Sequence, residues 1–302
     1  MPLAGVVGCG QTRRCTRGGE SLKSQLLQAL QQHAVDKPYY SAVITASGYT
    51  LDFVTLQQQV MQMVAELQQR QIRVLALALP NGAAWVVTDL AALMAGVVLI
   101  PLPPFFSGAQ IDHCLQQSGA QAVLTSDSSP IGSRLGGVPQ SLVIAGEAVQ
   151  WWPLTAALPV ALSPEVVKIT FTSGTTGTPK GVMLGLAVME QTAAAMGAGV
   201  GIQPNDRHIC LSPLAVLLEN VGGLYAPLLA GITTLLPTMT DLGLRGAAGL
   251  EPQRLSQALV EWNATSAILS PALLKGLVAV RAGPGALRFL AVGGGTVSRR
   301  LL

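Results

Sequence analysis

The chain has 302 residues and a formal net charge of +3; half of its residues are hydrophobic and only 11% are charged. This length suits one large domain or about two smaller ones, and the Lys and Arg residues are scattered without the stripe typical of nucleic-acid binding. The most apolar windows, 83–102 and 211–236, are interrupted by acidic and proline residues, which favours the buried strands and helices of a soluble protein over a membrane span, with peripheral membrane contact as the lesser alternative.

The N-terminal segment shows little sign of folded structure. Arg13, Arg14 and Arg17 follow a weakly apolar start, which is the reverse of the charge order in a signal peptide. Residues 1–20 are therefore predicted to be a disordered tail, or sequence upstream of the true start. The whole chain has four cysteines without a CxxC pair, and only three histidines accompany them. This composition argues against a metal site and a disulfide framework, and it suits a reducing cytoplasm.

Helices and strands are predicted to alternate through the first half of the chain. Their order is a helix over 21–34, a hairpin of strands 43–45 and 49–51, a helix over 52–69, and strands at 73–79, 97–100 and 121–125 separated by helices. The helices follow apolar spacing of about 3.6 residues, and Asn81 and Ser107 are placed to cap two of them. This alternation with short connections predicts an α/β fold with mainly parallel pairing.

The second half continues the alternation after a change in composition. Residues from about 126 to 164 are richer in Ser, Gly and Pro, which predicts a boundary between two α/β subdomains, 21–165 and 166–302. Beyond the boundary the predicted elements are helices over 186–199, 251–262 and 271–280 and strands at 208–211, 232–236, 265–269 and 288–292.

The stretch Thr170–Val182 reads TFTSGTTGTPKGV and has the composition of a phosphate-binding loop. Gly174 and Gly177 allow backbone N–H groups to turn towards an anion, and the hydroxyl groups around them can donate to phosphate oxygens. Lys180 adds a compact positive charge. A flexible polar linker is the alternative, but a linker requires neither a strand before it nor one lysine after Thr-Pro.

The spacing of this loop identifies its class. It does not fit the ATP-binding pattern G-x-x-x-x-G-K-(S/T), because Gly174 and Gly177 are too close and Gly181 follows Lys180. It resembles the signature loop of the adenylate-forming enzymes, which include acyl-CoA synthetases, luciferases and peptide-synthetase adenylation domains. Their pattern, (S/T)-S-G-(S/T)-T-G-x-P-K-G, is matched throughout by Thr172–Gly181. The resemblance implies an ATP-phosphate site, with Lys180 as the catalytic phosphate contact, made by Thr172, Ser173, Gly174, Thr175, Thr176, Gly177 and Lys180.

The resemblance extends from about residue 38 to the C-terminus. Leu79-Pro80-Asn81 and the stretch AGVVLIPLPP at Ala95–Pro104 resemble the first subdomain of the same enzymes. The resemblance therefore implies a layered α/β fold with the mainly parallel sheets of their N-terminal domain, here incomplete and without their small C-terminal domain.

Two further segments resemble substrate-contacting parts of the family. Residues 213–219 resemble the P-L-(S/A)-H-x-x-E segment of fatty-acid-activating relatives, which implies that Val216, Leu217 and Glu219 line an acyl pocket. Val216 occupies the histidine position of that segment, and an ordinary buried helix start is the alternative. Glu219 lies among apolar residues, where a charge indicates either function or a buried pair.

The stretch after the last predicted strand resembles G-G-A-P-L, whose backbone approaches the adenine in relatives. The resemblance implies a nucleotide contact at Gly294, Gly295 and Thr296, of which the last two positions depart from the usual pattern. The histidines have no companions in the sequence that suggest acid–base work, so no role is predicted for them.

The family resemblance implies that ATP and Mg²⁺ activate a carboxylic acid, expected to be a fatty or other hydrophobic acid. The acyl-adenylate would then pass its acyl group to the thiol of CoA or of a carrier protein. The Y-G-x-T-E segment, the ribose-binding aspartate and the C-terminal lysine of relatives are not found before Leu302. We therefore expect a C-terminally truncated ligase with little activity alone. The alternative is a catalytically inactive remnant that serves as a nucleotide-binding or interaction module, or a pseudogene product.

Overall fold

A computed structural model describes residues 7–8, 24–154, 160–172, 178–245, 249–280 and 285–297. The chain forms two units that alternate along the sequence. The first unit contains Met1–Gln28, Gln58–Leu79 and Ala84–Met189, and the second contains Ala29–Gln57, Pro80–Ala83 and Glu190–Leu302. Each unit has its own sheet and its own apolar core.

Helices and strands alternate along the described residues. Up to residue 154 they are β1 (Val7–Gly8), α1 (Gln25–Asp36), β2 (Ser41–Thr45), β3 (Thr50–Asp52), α2 (Phe53–Arg70), β4 (Val74–Ala78), α3 (Ala83–Ala95), β5 (Val98–Pro101), α4 (Gly108–Ser118), β6 (Ala122–Ser126), α5 (Gly132–Leu135), β7 (Gln140–Ile144) and β8 (Glu147–Pro153). Beyond it they are β9 (Val166–Thr172), β10 (Lys180–Gly185), α6 (Leu186–Val200), β11 (Arg207–Cys210), α7 (Leu217–Glu219), a π-helix (Asn220–Tyr225), α8 (Ala226–Ala230), β12 (Thr233–Leu236), β13 (Leu244–Arg245), β14 (Gly249–Leu250), α9 (Pro252–Glu261), β15 (Ser266–Leu269), α10 (Pro271–Ala279) and β16 (Phe289–Val292).

An eight-stranded sheet organises the first unit, in the order β1-β10-β9-β5-β4-β6-β8-β7. Its central strands β9, β5, β4 and β6 run parallel. Every residue of β4 and β5 is buried, as expected for parallel strands that are covered on both faces. Ile169 and Phe171 of β9 belong to the same core as Ala76 and Ile100. The strand that leads into the predicted phosphate loop therefore packs in the apolar core of the first unit.

A six-stranded sheet organises the second unit, in the order β16-β15-β11-β12-β2-β3. All neighbours from β16 to β2 are parallel, and β3 pairs antiparallel with β2. Ile209, Leu235 and Ala267 of this sheet share a core with Leu255 and Leu259 of α9. Parallel pairing thus prevails in both sheets, which confirms the predicted α/β class.

The hairpin turn at Gly48 and the helix cap at Ser107, both predicted from the sequence, are present in the structure. The β2–β3 hairpin turns at Gly48, which has a φ of 80°, a conformation that glycine adopts without a steric penalty. Ser107 and Gln110 form a capping box at the start of α4, in which each side chain accepts a hydrogen bond from the other residue's backbone N–H. This reciprocal pair satisfies two of the free N–H groups that begin a helix.

The structure divides the chain differently from the predicted subdomains 21–165 and 166–302. Strands β9 and β10 belong to the first sheet, because β9 pairs with β5. The segment 126–164, predicted as a boundary, holds the antiparallel hairpin β7–β8, and β8 continues the sheet through β6. Ala145 and Gly146 both have positive φ in its turn, 48° and 79°, as in the two-residue turns that suit hairpins. The turn-forming residues of this segment therefore serve the first unit.

The structure bears on two predictions, the disordered tail at 1–20 and the alternative of membrane contact. Within 1–20, Val7–Gly8 pairs in parallel with Val182 and Met183 at the edge of the first sheet. The rest of that predicted tail lies outside the described residues. Among the helices of the described ranges, none combines the length and the apolar character that crossing a membrane requires.

A buried ion pair lies beside β9 in the core of the first unit. Lys168 Nζ donates to Asp89 Oδ1 at 2.5 Å, and both side chains are fully buried. Burial lowers the pKa of Lys168, and the Asp89 carboxylate opposes that shift. Because a buried charge without its partner is strongly unfavourable, this pair fixes β9 against α3.

Candidate functional site

The predicted phosphate loop joins two paired strands of the first unit. Strand β9 ends at Thr172 and β10 begins at Lys180, and these two residues lie opposite each other in the antiparallel register. Both are exposed. The predicted contacts at 173–177 (Ser173, Gly174, Thr175, Thr176 and Gly177) lie outside the described residues. The structure therefore brings one predicted hydroxyl donor and the predicted lysine together at the base of the loop.

Close packing fixes the strand that carries Lys180. A Cβ atom at Gly181 would lie 3.1 Å from Ile169 and 3.2 Å from Phe171, so glycine lets β10 lie tightly on β9. On the other side of Lys180, Pro179 is buried and its carbonyl accepts a hydrogen bond of 3.0 Å from His113 Nε2. His113, for which no role was predicted, thus holds the backbone beside the lysine.

The predicted adenine-contacting residues follow β16 in the second unit. Gly293 N donates to Leu269 O at 3.0 Å, which continues the β15–β16 pairing. Gly294 then adopts a φ of +78°, and Gly294, Gly295 and Thr296 are exposed. They lie at the carboxyl end of a parallel strand, where open α/β sheets bind their ligands.

The predicted acyl-pocket segment is held by Asn81. Its amide Nδ2 donates to Ser212 O at 2.9 Å, and its Oδ1 accepts from Leu214 N at 2.7 Å. The sequence predicts Asn81 as a helix cap, and these two hydrogen bonds of its side chain go to a segment more than a hundred residues further along. Val216 and Leu217 are half-buried at the start of α7, and their predicted contact with an acyl chain stays a prediction.

Glu219 is buried in a side-chain cluster that the sequence analysis missed. His208, Cys210 and Glu219 place one donor atom each within 4.8 Å of the others, and their side chains are at most 3% exposed. The expectation that the histidines have no companions is therefore wrong for His208. The signal was the alternation of strand side chains, because His208 and Cys210 are two residues apart and face the same side of β11.

The charges in this cluster are suppressed by burial. Burial raises the pKa of the Cys210 thiol well above its ordinary value, and the nearby Glu219 carboxylate raises it further. Burial also raises the pKa of Glu219, while His208 opposes that shift. His208 Nε2 lies 3.7 Å from Glu219 Oε1, which is too long for a hydrogen bond. The cluster therefore brings three metal-ligating side chains together, and the Cys210 thiol also donates to Gly223 O at 3.7 Å.

The fold and the loop signature are those of the adenylate-forming class. Residues 28–302 match the AMP-binding enzyme family, and the chain belongs to this family. The 2-succinylbenzoate–CoA ligase of Bacillus licheniformis is 28% identical over 283 residues, which are 90% of this chain and 55% of the ligase. Tyrocidine synthase 2 of Brevibacillus parabrevis is 26% identical over 234 residues, which are 76% of this chain and 6% of the synthase.

A solved structure supports the fold. The o-succinylbenzoate coenzyme A synthetase of Bacillus subtilis, in complex with AMP, superposes with a TM-score of 0.71 at 21% identity. The match covers 90% of this chain and 55% of the synthetase. This chain thus has the fold of the N-terminal part of adenylate-forming enzymes, and it spans about half the length of the CoA ligases that it matches.

Proposed function

We propose that this protein activates a carboxylic acid with ATP. The carboxylate attacks the α-phosphorus, which forms an acyl-adenylate and releases pyrophosphate, and a thiol then takes the acyl group and releases AMP. The observation that carries the proposal is the pairing of Thr172 with Lys180 at the base of the signature loop. Membership of the AMP-binding enzyme family supports it.

Lys180 supplies the electrostatic part of the phosphate site in this proposal. Its side chain is exposed, while its backbone is fixed by pairing with Thr172 and by the hydrogen bond from His113 to Pro179. An ammonium group beside the β- and γ-phosphates reduces the charge repulsion that opposes the carboxylate and stabilises the departing pyrophosphate. Mg²⁺ neutralises phosphate charge and is proposed to arrive with the nucleotide; no described side chain is assigned to it.

A hydrophobic acid, such as a fatty acid, is our proposed substrate. Val216 and Leu217 offer half-buried apolar surface at the start of α7, and burying further apolar surface against them would favour a hydrophobic acyl group. The names of the relatives include a CoA ligase and a nonribosomal peptide synthetase. CoA and a carrier-protein thiol are accordingly both proposed as acceptors.

Acid-dependent ATP–pyrophosphate exchange tests the proposed reaction. Purified protein containing this chain is assayed against a panel of fatty, aromatic and amino acids, with Mg²⁺ and labelled pyrophosphate. Exchange that requires one class of acid would support activation, and the preferred acid would then be offered CoA or a carrier protein. No exchange with any acid, together with intact ATP binding, would favour the alternative of a nucleotide-binding module.

The role of Lys180 is tested separately by nucleotide titration. Lys180→Ala should weaken ATP binding about 10- to 100-fold, because a charge-assisted hydrogen bond contributes about 1.5–3 kcal/mol. Lys275→Ala is the matched control, since Lys275 is an exposed lysine on α10 of the second unit. Equal ATP affinities of the two variants would remove the loop from the proposed mechanism.

A further inference from the structure

We propose that His208, Cys210 and Glu219 form a buried site for a divalent transition-metal cation. The proposal goes beyond acid activation and does not depend on it. It rests on the placement of the three side chains, on two buried polar atoms without partners, on a space that a glycine leaves open and on the chemistry of the donor set.

The three donor atoms have the separation of ligands around one ion. Their mutual distances are within 4.8 Å, and His208 Nε2 lies 3.7 Å from Glu219 Oε1. Zinc holds nitrogen at about 2.0–2.1 Å and carboxylate oxygen at about 2.0–2.2 Å, so neighbouring ligands in a tetrahedron are separated by roughly 3.4 Å. A small inward movement of the side chains therefore suffices to bring all three donors onto one cation.

The atoms that face each other are unsatisfied in the protein itself. His208 Nε2 and Glu219 Oε1 are both buried, and neither has a hydrogen-bond partner among the described residues. Buried polar groups in native proteins are almost always paired, so an orphaned pair indicates a role or a missing partner. A cation between the two atoms would satisfy both at once.

A glycine leaves the space between the donors open. A Cβ atom at Gly223 would lie 2.5 Å from Glu219 Oε1, 3.1 Å from His208 Nε2 and 3.2 Å from Cys210 Sγ. Any other residue at this position would therefore place a carbon atom against all three donors. Gly223 belongs to the π-helix Asn220–Tyr225, and π-helical turns are rare and concentrate at functional sites.

The histidine is oriented from behind, as metal-binding histidines are. Ser266 faces His208 on the neighbouring parallel strand, and its Oγ lies 3.1 Å from His208 Nδ1. With Nδ1–H donating to this hydroxyl, Nε2 carries the free lone pair that a metal requires. This hydrogen bond also fixes the ring plane, so that Nε2 points towards Glu219.

The donor set selects the class of cation. Imidazole nitrogen and thiolate sulfur suit Zn²⁺ and Co²⁺, whereas Mg²⁺ and Ca²⁺ prefer sets made of oxygen. Binding converts the Cys210 thiol to a thiolate bound to the metal and releases one proton to solvent. Because all three side chains are buried, the site would be structural and would fix the end of α7 to β11.

Titration with Co²⁺ tests this proposal, because a thiolate ligand gives Co²⁺ an intense near-ultraviolet charge-transfer band. The parent protein carries Cys9→Ser and Cys15→Ser, which removes the two cysteines that lie outside the described residues. After removal of metal with a chelator, we expect one equivalent of Co²⁺ to bind with this band, and Zn²⁺ to displace it. Failure of the folded parent to retain stoichiometric metal would overturn the proposal without any further substitution.

Matched variants assign the ligands. Cys210→Ser should abolish the band and weaken binding more than roughly 100-fold, whereas Cys114→Ser, which changes the buried cysteine of the first unit, should leave both unchanged. Ser266→Ala should weaken binding by about 10- to 100-fold, as expected for a group that only orients a ligand. A band that persists in Cys210→Ser would refute the site. Lys180→Ala should bind Co²⁺ as the parent does, so failure of the metal site and failure of the proposed acid activation are distinguishable.

Discussion

Replacing Asp89 with asparagine should destabilise the first unit by about 3–5 kcal/mol at pH 7, because it removes the carboxylate charge that faces the buried Lys168 ammonium group. Both side chains are fully buried, and Nζ lies 2.5 Å from Oδ1. The lysine can avoid carrying a buried positive charge by releasing its proton. From an ordinary pKa of about 10.4, being neutral at pH 7 costs roughly 4–5 kcal/mol. The two estimates agree, so the protonated and neutral forms of the variant are penalised similarly.

The pH dependence gives this prediction its specific signature. Burial lowers the pKa of Lys168 in the folded protein, and Asp89 opposes the shift; without Asp89 the pKa falls further. The unfolded chain then binds more protons than the folded one, so stability rises with pH up to the ordinary lysine pKa. The deficit of Asp89→Asn should therefore shrink as the pH rises from 7 to 9, by at most about 1.4 kcal/mol for each pH unit.

Urea unfolding, monitored through the hydrogen exchange of the backbone amides of Val166–Thr172, reports on the first unit. Glu66→Gln is the control, because it removes a partly exposed partner of Arg70 one helical turn away and should cost about 0.3–0.5 kcal/mol at either pH. Lys168→Met combined with Asp89→Leu should recover most of the stability, since neither side chain of the pair is then charged. A deficit below about 1 kcal/mol for Asp89→Asn, or one that does not change between pH 7 and 9, would refute the reasoning.

Two further predictions concern the second unit. Arg288→Met should lower the free energy of unfolding above about pH 4–5, and by progressively less as the pH falls. Although burial of Asp206 opposes its ionisation, hydrogen bonds from Arg288 and its neighbours hold the pKa of Asp206 below its usual range. The stability that this lowered pKa provides is lost as the pH falls through it. Urea unfolding from pH 3 to 7 would show the two proteins converge at low pH, and a constant difference would contradict this. Asn81→Ala should cost about 1–3 kcal/mol, because the backbone groups of Ser212 and Leu214 lose their partner; a loss below about 0.5 kcal/mol in thermal unfolding would show that water replaces the amide.

Local patterns predicted the elements that depend on local physics. The strand before the signature loop, the capping box at Ser107 and the turn at Gly48 each follow from a few neighbouring residues. The loop motif likewise located Thr172 and Lys180, which the structure places opposite each other. Such features can be predicted because the interactions that form them connect residues close in sequence.

Features that depend on contacts between residues far apart in the sequence were not predicted, because no local pattern encodes those contacts. The cluster of His208, Cys210 and Glu219 forms because Glu219, at the end of α7, lies beside β11, and no local periodicity predicts that contact. The partner of Lys168 lies 79 residues away on α3. The predicted boundary at 126–164 failed because turn-rich composition marks a hairpin within a unit as readily as a linker between units.

The alternation of the chain between its units sets an order of events during synthesis. Strand β2 leaves the ribosome early, but its parallel neighbour β12 is made about 190 residues later, a delay of roughly 10–40 s at about 5–20 residues per second. The strands β4, β5 and β6 are made close together and can pair with one another in that interval. Throughout it, the apolar hairpin of Val43 and Ile44 presents an unpaired edge that other nascent chains can join. Yield during expression should therefore depend on translation speed and on chaperones that shield this hairpin until the last third of the chain emerges.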